Sequence, residues 1–307
     1  MDDDQGGIHD NRFTQGGPVG RGGGFGGRVR RAARESATVH CGHHDDRTGR
    51  VRRVGGPDGR TARRVRGRRG DRAAVGHRAD ERFLACSTHK PLVAGAVLRR
   101  AEADPGYLDK LVRYDRSRLE EYAPVTGERV DTGMTVAELC AASVGVSDNT
   151  AANLLFDEVG GPAGATAFVR SLGDDITRMD RNETSLNVGA PGDERDTTTP
   201  RRIVETYRAL LLGTALAPTG RDRLTGWLVG STTGKDLVRA GLPADWRAGD
   251  KSGSGAAGEV NNVAIAWPPG RGPWLIGVYT APTKAEPPAR PIVAEAARIV
   301  VAALGRA

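Results

Sequence analysis

The sequence predicts an α+β protein, and three observations indicate this class. Helical patterns fill the middle of the chain, from about residue 87 to about residue 229. Three strand-like segments then follow one another closely, and an amphipathic helix ends the chain. Helices followed by an antiparallel strand set and a covering helix are typical of a sheet domain joined to a helical part. We therefore expect a helical part at about 87–229 and a sheet part with its covering helix at about 230–307.

Four helices are predicted ahead of the strands. The first opens at Ser87, after which apolar residues recur at helical spacing. A second begins after Thr135, where Glu138 completes a capping box. A third covers 150–159 and is closed by two glycines. A fourth starts at Thr199 and has proline at the favoured first position.

Strand patterns dominate the last quarter of the chain. The segments 246–254, 260–267 and 274–280 are predicted strands, because glycine-rich and proline-rich turns separate apolar runs of strand length. The residues of 291–304 place an apolar stripe on one side of a helix. That stripe predicts a helix that covers the sheet.

Four short motifs stand in a fixed order along the chain. They are Ser87-Thr88-His89-Lys90, Ser147-Asp148-Asn149, Glu183-Thr184-Ser185-Leu186-Asn187 and Lys251-Ser252-Gly253, with first residues 60, 36 and 68 positions apart. Each alone is weak, but their order and spacing resemble those of class A (active-site serine) β-lactamases from about His77 to the C-terminus. The resemblance implies a three-layer α/β/α fold with an antiparallel sheet and an all-helical subdomain.

Ser87 and Lys90 form the first candidate catalytic pair. A serine hydroxyl is a poor nucleophile until a base takes its proton, and residues three apart on a helix share a face. Backbone N–H groups at a helix start also favour developing negative charge. Taken alone, the pair would be a helix-capping serine beside a surface lysine. The other three motifs favour the catalytic interpretation.

The resemblance assigns roles to the other motif residues. Ser147 would pass a proton to the departing lactam nitrogen, Asn149 would bind the substrate amide, and Lys251 with Ser252 would hold its carboxylate. The oxyanion hole would be the N–H groups of Ser87 and Ser254, and Gly253 would allow the close approach. Tyr122 falls where the family has an aromatic residue at the mouth of the cleft.

Glu183 separates a hydrolase from a penicillin-binding enzyme. Penicillin-binding transpeptidases and carboxypeptidases share the serine, lysine and asparagine motifs but stay acylated by β-lactams, whereas class A β-lactamases add a loop carboxylate that activates water. Glu183 resembles that carboxylate, and Asn187 would share the water. Arg181 and Asp196 occupy the positions of the ion pair that closes the family's loop.

The chain departs from the family in two places. His89 replaces the usual apolar residue between Ser87 and Lys90, and we expect it to pack away from the catalytic face. Many members carry a carboxylate-binding arginine where this chain has Val260 or Leu237. Of the nearby candidates only Arg239 remains.

The N-terminal quarter differs from the rest in composition. Residues 1–80 contain 18 Arg, no Lys and 10 acidic residues, a net charge of +8, whereas the remainder has a net charge of −1. This Arg/Gly-rich text offers little apolar surface, so residues 1–76 are predicted to be disordered. A nucleic-acid-binding arm and a solvated extension are alternatives. The abrupt change near Gly76 favours translation out of frame, which would put the N-terminal sheet strands in doubt.

No metal site, membrane span or leader is predicted. The cluster His40-Cys41-Gly42-His43-His44 lacks the spacing of a zinc site. No apolar run reaches 18 residues, and none of 7 to 15 follows a basic start, so no signal peptide is recognisable. By resemblance alone, the protein would be secreted or periplasmic.

The sequence thus predicts β-lactam hydrolysis through an acyl-Ser87 intermediate. The resemblance implies a monomer that acts on a small molecule without cofactor, metal or nucleic acid. Two alternatives stay open. One is a penicillin-binding carboxypeptidase or transpeptidase, and the other is an inactive product with an incomplete sheet and a basic arm that binds nucleic acid.

Overall fold

The computed structural model describes residues 37–43, 74–281 and 289–305. Its described helices are α1 Lys90–Ala101, α2 Val136–Gly145, α3 Asn149–Glu158, α4 Gly161–Ser171, α5 Pro200–Leu211, α6 Pro218–Val229 and α7 Ala289–Leu304. The strands of the main sheet are β1 Ala37–His43, β2 Ala74–His77, β7 Arg247–Ser254, β8 Val260–Trp267 and β9 Trp274–Thr280. Two short ribbons pair β3 Phe83–Leu84 with β6 Thr197–Thr198 and β4 Leu111–Val112 with β5 Met134–Thr135.

The main sheet is antiparallel throughout, with strand order β2-β1-β9-β8-β7. Side chains of β9 alternate between two cores, as the strand period of two requires. Leu275 and Tyr279 face the core shared with the helical part, whereas Trp274 and Ile276 face the core under α7. The sheet therefore lies between two helical layers, and the predicted three-layer α+β fold with a helical subdomain is confirmed.

Most predicted elements are present at or within a few residues of their expected bounds. Thr135 caps α2 and forms the capping box with Glu138, and β8 and β9 have the predicted bounds. The helix predicted at Ser87 instead begins with a 3-10 turn, Cys86–His89, before α1 starts at Lys90. Helices α4 and α6 were not predicted, because glycines within both of them weaken the helical pattern.

The N-terminal strands correct one expectation. Residues 37–43 and 74–76 lie within the segment predicted to be disordered, yet β1 and β2 pair in the sheet, with Val39 opposite both His77 and Val278. Because β1 pairs with β2 on one side and with β9 on the other, its backbone N–H and C=O groups are hydrogen-bonded. An Arg/Gly-rich composition gives no sign of such pairing. The main sheet thus includes two strands from the N-terminal quarter, the contribution that the sequence put in doubt. Predictions for residues 1–36 and 44–73 lie outside the described residues.

Within the described ranges, none of the helices combines the length and hydrophobicity that a membrane crossing needs.

Candidate active site

Ser87 lies in the 3-10 turn between β3 and α1, at the junction of the sheet and the helical part. The residue before it, Cys86, has a left-handed backbone with φ 47°, which turns the chain sharply at this point. Thr88 anchors the turn, because its hydroxyl donates to the Ala85 carbonyl at 2.6 Å. The Ser87 side chain reaches across the cleft, and its Oγ donates to Glu183 Oε1 at 3.2 Å.

Lys90 is fully buried at the start of α1. Its Nζ donates to the Ser147 carbonyl at 2.8 Å, to Ser147 Oγ at 3.2 Å and to Asn149 Oδ1 at 2.7 Å, and it lies 3.1 Å from Glu183 Oε1. Burial lowers the pKa of Lys90, against the opposing effect of Glu183. Lys90 is thus a cation that gives up its proton more readily than an exposed lysine.

The predicted contact between Ser87 and Lys90 takes an indirect form. Within the described part of the chain, Lys90 donates no hydrogen bond to Ser87. Both groups instead meet at Glu183 Oε1, which accepts from Ser87 and pairs with Lys90. The three-residue spacing predicted the correct face, but it could not predict that a loop carboxylate lies between the two side chains.

Glu183 is buried, and hydrogen bonds to its backbone hold it in place. Asn153 accepts from the Glu183 N–H at 2.9 Å and donates to the Glu183 carbonyl at 2.8 Å. Asn187 donates to Glu183 Oε2 at 2.5 Å. Burial is the strongest single influence and opposes ionisation of this carboxyl, but attraction to Lys90, the hydrogen bond from Asn187 and the other nearby groups together outweigh it and hold the pKa of Glu183 below its ordinary value. Glu183 is therefore an ionised base at neutral pH.

Asn153 was missed by sequence reasoning, although a signal for it exists. It follows Asn149 by four residues, so both amides lie on the same face of α3. The face that carries Asn149 to Lys90 also carries Asn153 to Glu183. A single helix face thus positions both the lysine and the glutamate of the cluster.

The loop that carries Glu183 is closed at its neck by the predicted ion pair. Arg181 Nε lies 2.6 Å from Asp196 Oδ2, and Asp196 is almost fully buried. Asp196 Oδ1 also accepts from the N–H groups of Asp180 and Arg181, and Asp180 accepts from the Asp196 N–H. These bonds hold the two ends of the loop together and keep Glu183 facing the cleft.

Ser147 and Lys251 form the opposite wall of the cleft. Ser147 has a left-handed backbone with φ 65° in the turn before α3. Its Oγ accepts from Lys251 Nζ at 2.9 Å and from Lys90 Nζ at 3.2 Å. Burial, reinforced by the positive charge of Lys90, lowers the pKa of Lys251 to about 7.

The end of β7 forms the rim beside the nucleophile. A Cβ built on Gly253 would lie 3.0 Å from Cys86 Cβ and 3.2 Å from the Ser87 nitrogen, so any larger residue would push the strand away from the nucleophile. Ser252 donates to Thr233 Oγ1 at 2.7 Å. Ser254 is exposed at the strand end. The Ser87 and Ser254 backbones therefore flank one opening.

Tyr122 and Asn149 lie at the outer end of the cleft. Tyr122 has 56 % of its surface exposed, and its carbonyl accepts from the Asn149 N–H at 3.1 Å. The Asn149 amide nitrogen donates to the Glu121 carbonyl at 2.7 Å. Asn149 thus connects the Tyr122 segment to Lys90, in addition to any contact with a substrate.

Two arginines near β7 have different surroundings. Arg239 is paired with buried Asp250 and donates to the Leu228 carbonyl, so it is committed to the protein interior. Arg290, at the start of α7, pairs with Asp236 and donates to the Thr233 carbonyl at 3.3 Å. Arg290 therefore lies at the end of the cleft where Ser252 contacts Thr233. Sequence reasoning missed it because it lies almost 40 residues beyond Lys251.

Among the described residues, no group of three or more His, Cys, Asp or Glu side chains is arranged to hold a metal ion. The side chains of 40–44 lie outside the described part.

Together, a nucleophilic serine, two buried lysines and a loop glutamate beside an antiparallel sheet define an active-site serine hydrolase. Comparison with known proteins narrows this class. The model of the β-lactamase enzyme family matches residues 61–304. The chain therefore belongs to the β-lactamase enzyme family.

Individual relatives agree with this membership. The chain is 54 % identical to β-lactamase AST-1 of Nocardia asteroides over 239 residues, which cover 77 % of this chain and 76 % of that one. It is 48 % identical to the carbapenem-hydrolyzing β-lactamase KPC of Klebsiella oxytoca, over 77 % of this chain and 81 % of that one. The structure resembles a class A β-lactamase representing the last common ancestor of Gram-negative bacteria, with a TM-score of 0.78, 45 % identity, and coverage of 90 % and 97 %.

Proposed function

We propose that this protein opens the ring of penicillin- and cephalosporin-type β-lactams through an acyl-Ser87 ester, and so confers resistance to them. The observation that carries the proposal is the contact of Glu183 with both Ser87 and Lys90 inside a closed loop. A carboxylate in this position can take a proton from Ser87 during acylation and from a water during deacylation. Penicillin-binding enzymes share the serine and lysine motifs, and Glu183 is the feature that favours hydrolysis.

Acylation begins with proton transfer from Ser87. The Ser87 oxygen attacks the lactam carbonyl carbon while its proton passes to the Glu183 and Lys90 cluster, and the carbonyl becomes an oxyanion between the Ser87 and Ser254 N–H groups. The lowered pKa of Lys90 and the ionised state of Glu183 both support this transfer.

Ring opening requires a proton for the departing nitrogen. Both lone pairs of Ser147 Oγ accept from lysine ammonium groups, so its O–H is the group left to donate to a substrate atom. As the lactam C–N bond breaks, the nitrogen takes the Ser147 proton and the lysines resupply it. The product of this half-reaction is a ring-opened amine with an ester on Ser87.

Deacylation uses Glu183 a second time. Glu183 removes a proton from water held with Asn187, and the resulting nucleophile attacks the ester carbonyl. The ester C–O bond breaks, and Ser87 Oγ regains a proton. Lys251, Ser252 and the nearby Arg290 supply positive charge and hydrogen bonds for the substrate carboxylate, while Asn149 and Tyr122 line the side-chain end of the cleft.

A turnover measurement tests the proposal directly. Purified protein is mixed with a chromogenic cephalosporin and with benzylpenicillin, and intact mass is recorded during the reaction. We expect many turnovers per enzyme with saturation kinetics and no adduct left after substrate is consumed. A single stoichiometric burst with a stable adduct on Ser87 would instead assign the protein to the penicillin-binding enzymes.

The charge of Lys251 predicts the alkaline limb of the pH profile. Because its pKa is lowered to about 7, Lys251 is charged below pH 7 and becomes neutral above it in the free enzyme. We expect kcat/KM for an anionic β-lactam to fall above pH 7 by up to about tenfold per pH unit. The substrate carboxylate raises the pKa of Lys251 once it is bound, so Lys251 stays charged in the complex. The alkaline loss should therefore appear mainly as a rise in KM.

The matched control is the same β-lactam with its carboxylate methylated. This neutral substrate gains nothing from the Lys251 charge, so its KM should stay flat over the same pH range. An equal alkaline rise in KM for both substrates would mean that the limb does not report attraction between Lys251 and the substrate carboxylate.

We further propose a monomer that acts outside the cytoplasm and does not bind nucleic acid. Ser87, Lys90, Ser147, Glu183 and Lys251 all come from one chain, so the site needs no second copy. Residues 81–307, which contain the whole site, have a net charge of −1, so this part of the chain does not favour binding to phosphate backbones. Export is implied by the family resemblance alone.

A further inference from the structure

His89 is a fully buried side chain whose polar contacts the mechanism above does not use. It lies between Thr88 and Lys90, and 1 % of its surface is exposed. Its ring stacks on Phe156 of α3 with centroids 5.3 Å apart and planes 7° apart. Charged groups from three elements act on it electrostatically: Glu183 in the closed loop, Lys90 at the start of α1 and Lys251 on β7.

The hydrogen bonds of His89 fix its protonation state. Its Nδ1 lies 2.8 Å from the Cys86 carbonyl oxygen, which can only accept, so Nδ1 must carry the proton. Its Nε2 is buried and has no hydrogen-bond partner among the described residues. A second proton there would create a buried, unpaired cation, and burial accordingly lowers the pKa of His89. The ring is therefore a neutral, singly protonated donor.

The Cys86 carbonyl, which accepts the His89 hydrogen bond, belongs to the peptide group that also contains the N–H of the nucleophile Ser87. The Cys86 carbonyl and the Ser87 N–H are the two ends of one planar peptide unit, and in a trans unit they point in opposite directions. Fixing the carbonyl toward His89 therefore turns the Ser87 N–H away from α3. The Ser87 nitrogen lies beside β7, because it would be 3.2 Å from a Cβ on Gly253, next to Ser254.

The same peptide unit follows a residue in an unfavourable conformation. Cys86 has φ 47°, a region that non-glycine residues other than asparagine and aspartate rarely occupy. Such a backbone persists only where surrounding contacts hold it. The His89 bond is a contact made directly to the Cys86 carbonyl, and the stack on Phe156 keeps the donor in place.

We propose that His89 is a positioning residue that orients and polarises the Cys86–Ser87 peptide, so that the Ser87 N–H points at the oxyanion formed on the substrate. This inference rests on the proposed acyl-Ser87 reaction. A neutral ring serves this role without adding charge beside Lys90. The stronger the bond to the carbonyl, the better the opposite N–H donates, because hydrogen bonds through a peptide reinforce one another.

Two variants separate the hydrogen bond from packing. His89→Phe keeps a flat ring against Phe156 but has no donor. His89→Asn leaves space in the core but can place its amide nitrogen where Nδ1 was. We expect His89→Phe to lower kcat for benzylpenicillin about tenfold, less than the roughly 100- to 1000-fold loss for removal of an oxyanion donor, with KM unchanged. His89→Asn should recover most of kcat despite a lower melting temperature.

A spectroscopic signal reports the oxyanion hole itself. In a Glu183→Gln background, where the ester should accumulate, the stretching band of a ¹³C-labelled ester carbonyl is recorded by infrared difference spectroscopy. We expect the band to move to higher wavenumber with His89→Phe and to return with His89→Asn. An unmoved band and unchanged kcat in His89→Phe would overturn the inference, as would an identical loss in both variants. Failure of any ester to form, with His89 unaltered, would instead refute the proposed function.

Discussion

Replacing Glu183 with glutamine is expected to stop the reaction after acylation. Glutamine has nearly the same shape, but it cannot take a proton from water, and general-base catalysis contributes roughly 100- to 10,000-fold. Acylation should suffer less, because Lys90 lies in the same cluster, has a lowered pKa and remains available as a base. The ester on Ser87 should therefore form and persist, and kcat should fall by about this factor.

The measurement combines steady-state kinetics with intact mass after mixing with benzylpenicillin. Ser87→Ala, which lacks the nucleophile, should show neither turnover nor adduct. A matched control is Glu194→Gln, a carboxylate in the same loop that is 59 % exposed and paired at 3.4 Å with Arg82. It should behave as the unaltered protein. Rapid turnover without adduct in Glu183→Gln would show that another group activates the water.

The sequence predicted which residues meet in the cleft better than it predicted the contacts between them. Short motifs predicted Ser87, Lys90, Ser147 and Lys251 because each must face the same cleft, and the structure brings all four together. Spacing along a helix could not predict that Lys90 would turn to Ser147 and Asn149. That choice depends on α3, whose N-terminal turn approaches Lys90 from a site 57 residues further along the chain.

The fold was predictable where the hydrophobic periodicity and the capping or turn residues give clear local signals. The capping box of α2 and the last two strands were predicted closely, because their signals are local. The strand β1 was not predicted, because its pairing partner β9 lies more than 230 residues away and its own composition resembles a disordered segment. Translation of residues 1–76 out of frame stays a prediction, and the coding DNA upstream of codon 77 would test it.

Removing the charge of Lys90 should cost both stability and activity. In Lys90→Met the buried Glu183 carboxylate loses its counter-ion, and breaking a buried pair in this way destabilises proteins by about 3 to 5 kcal/mol. Ser147 and Asn149 also lose a shared donor. Turnover should fall in both half-reactions, since the proton relay to Ser147 and the ionisation of Glu183 depend on the same ammonium group.

The stability lost in Lys90→Met should depend on pH, and the pKa of Glu183 determines the direction of that dependence. In the unaltered protein the pKa of Glu183 is lowered, so its contribution is present above the unfolded-state pKa and is lost as pH falls through the folded-state pKa. In Lys90→Met, burial without Lys90 should raise that pKa, and protonation in acid then relieves the penalty. The difference in melting temperature should therefore be largest near pH 7 and narrow toward pH 4.

The matched control is Lys110→Met, a lysine that is 50 % exposed and lies 2.7 Å from Glu158. Solvent screens this pair, so its loss should cost at most about 1 kcal/mol, with no comparable narrowing in acid. Thermal melts of both variants at several pH values make the comparison. If Lys90→Met were as stable as Lys110→Met at pH 7, Glu183 would have to be neutral in the folded protein. The base that activates water would then have to be sought elsewhere in the cleft.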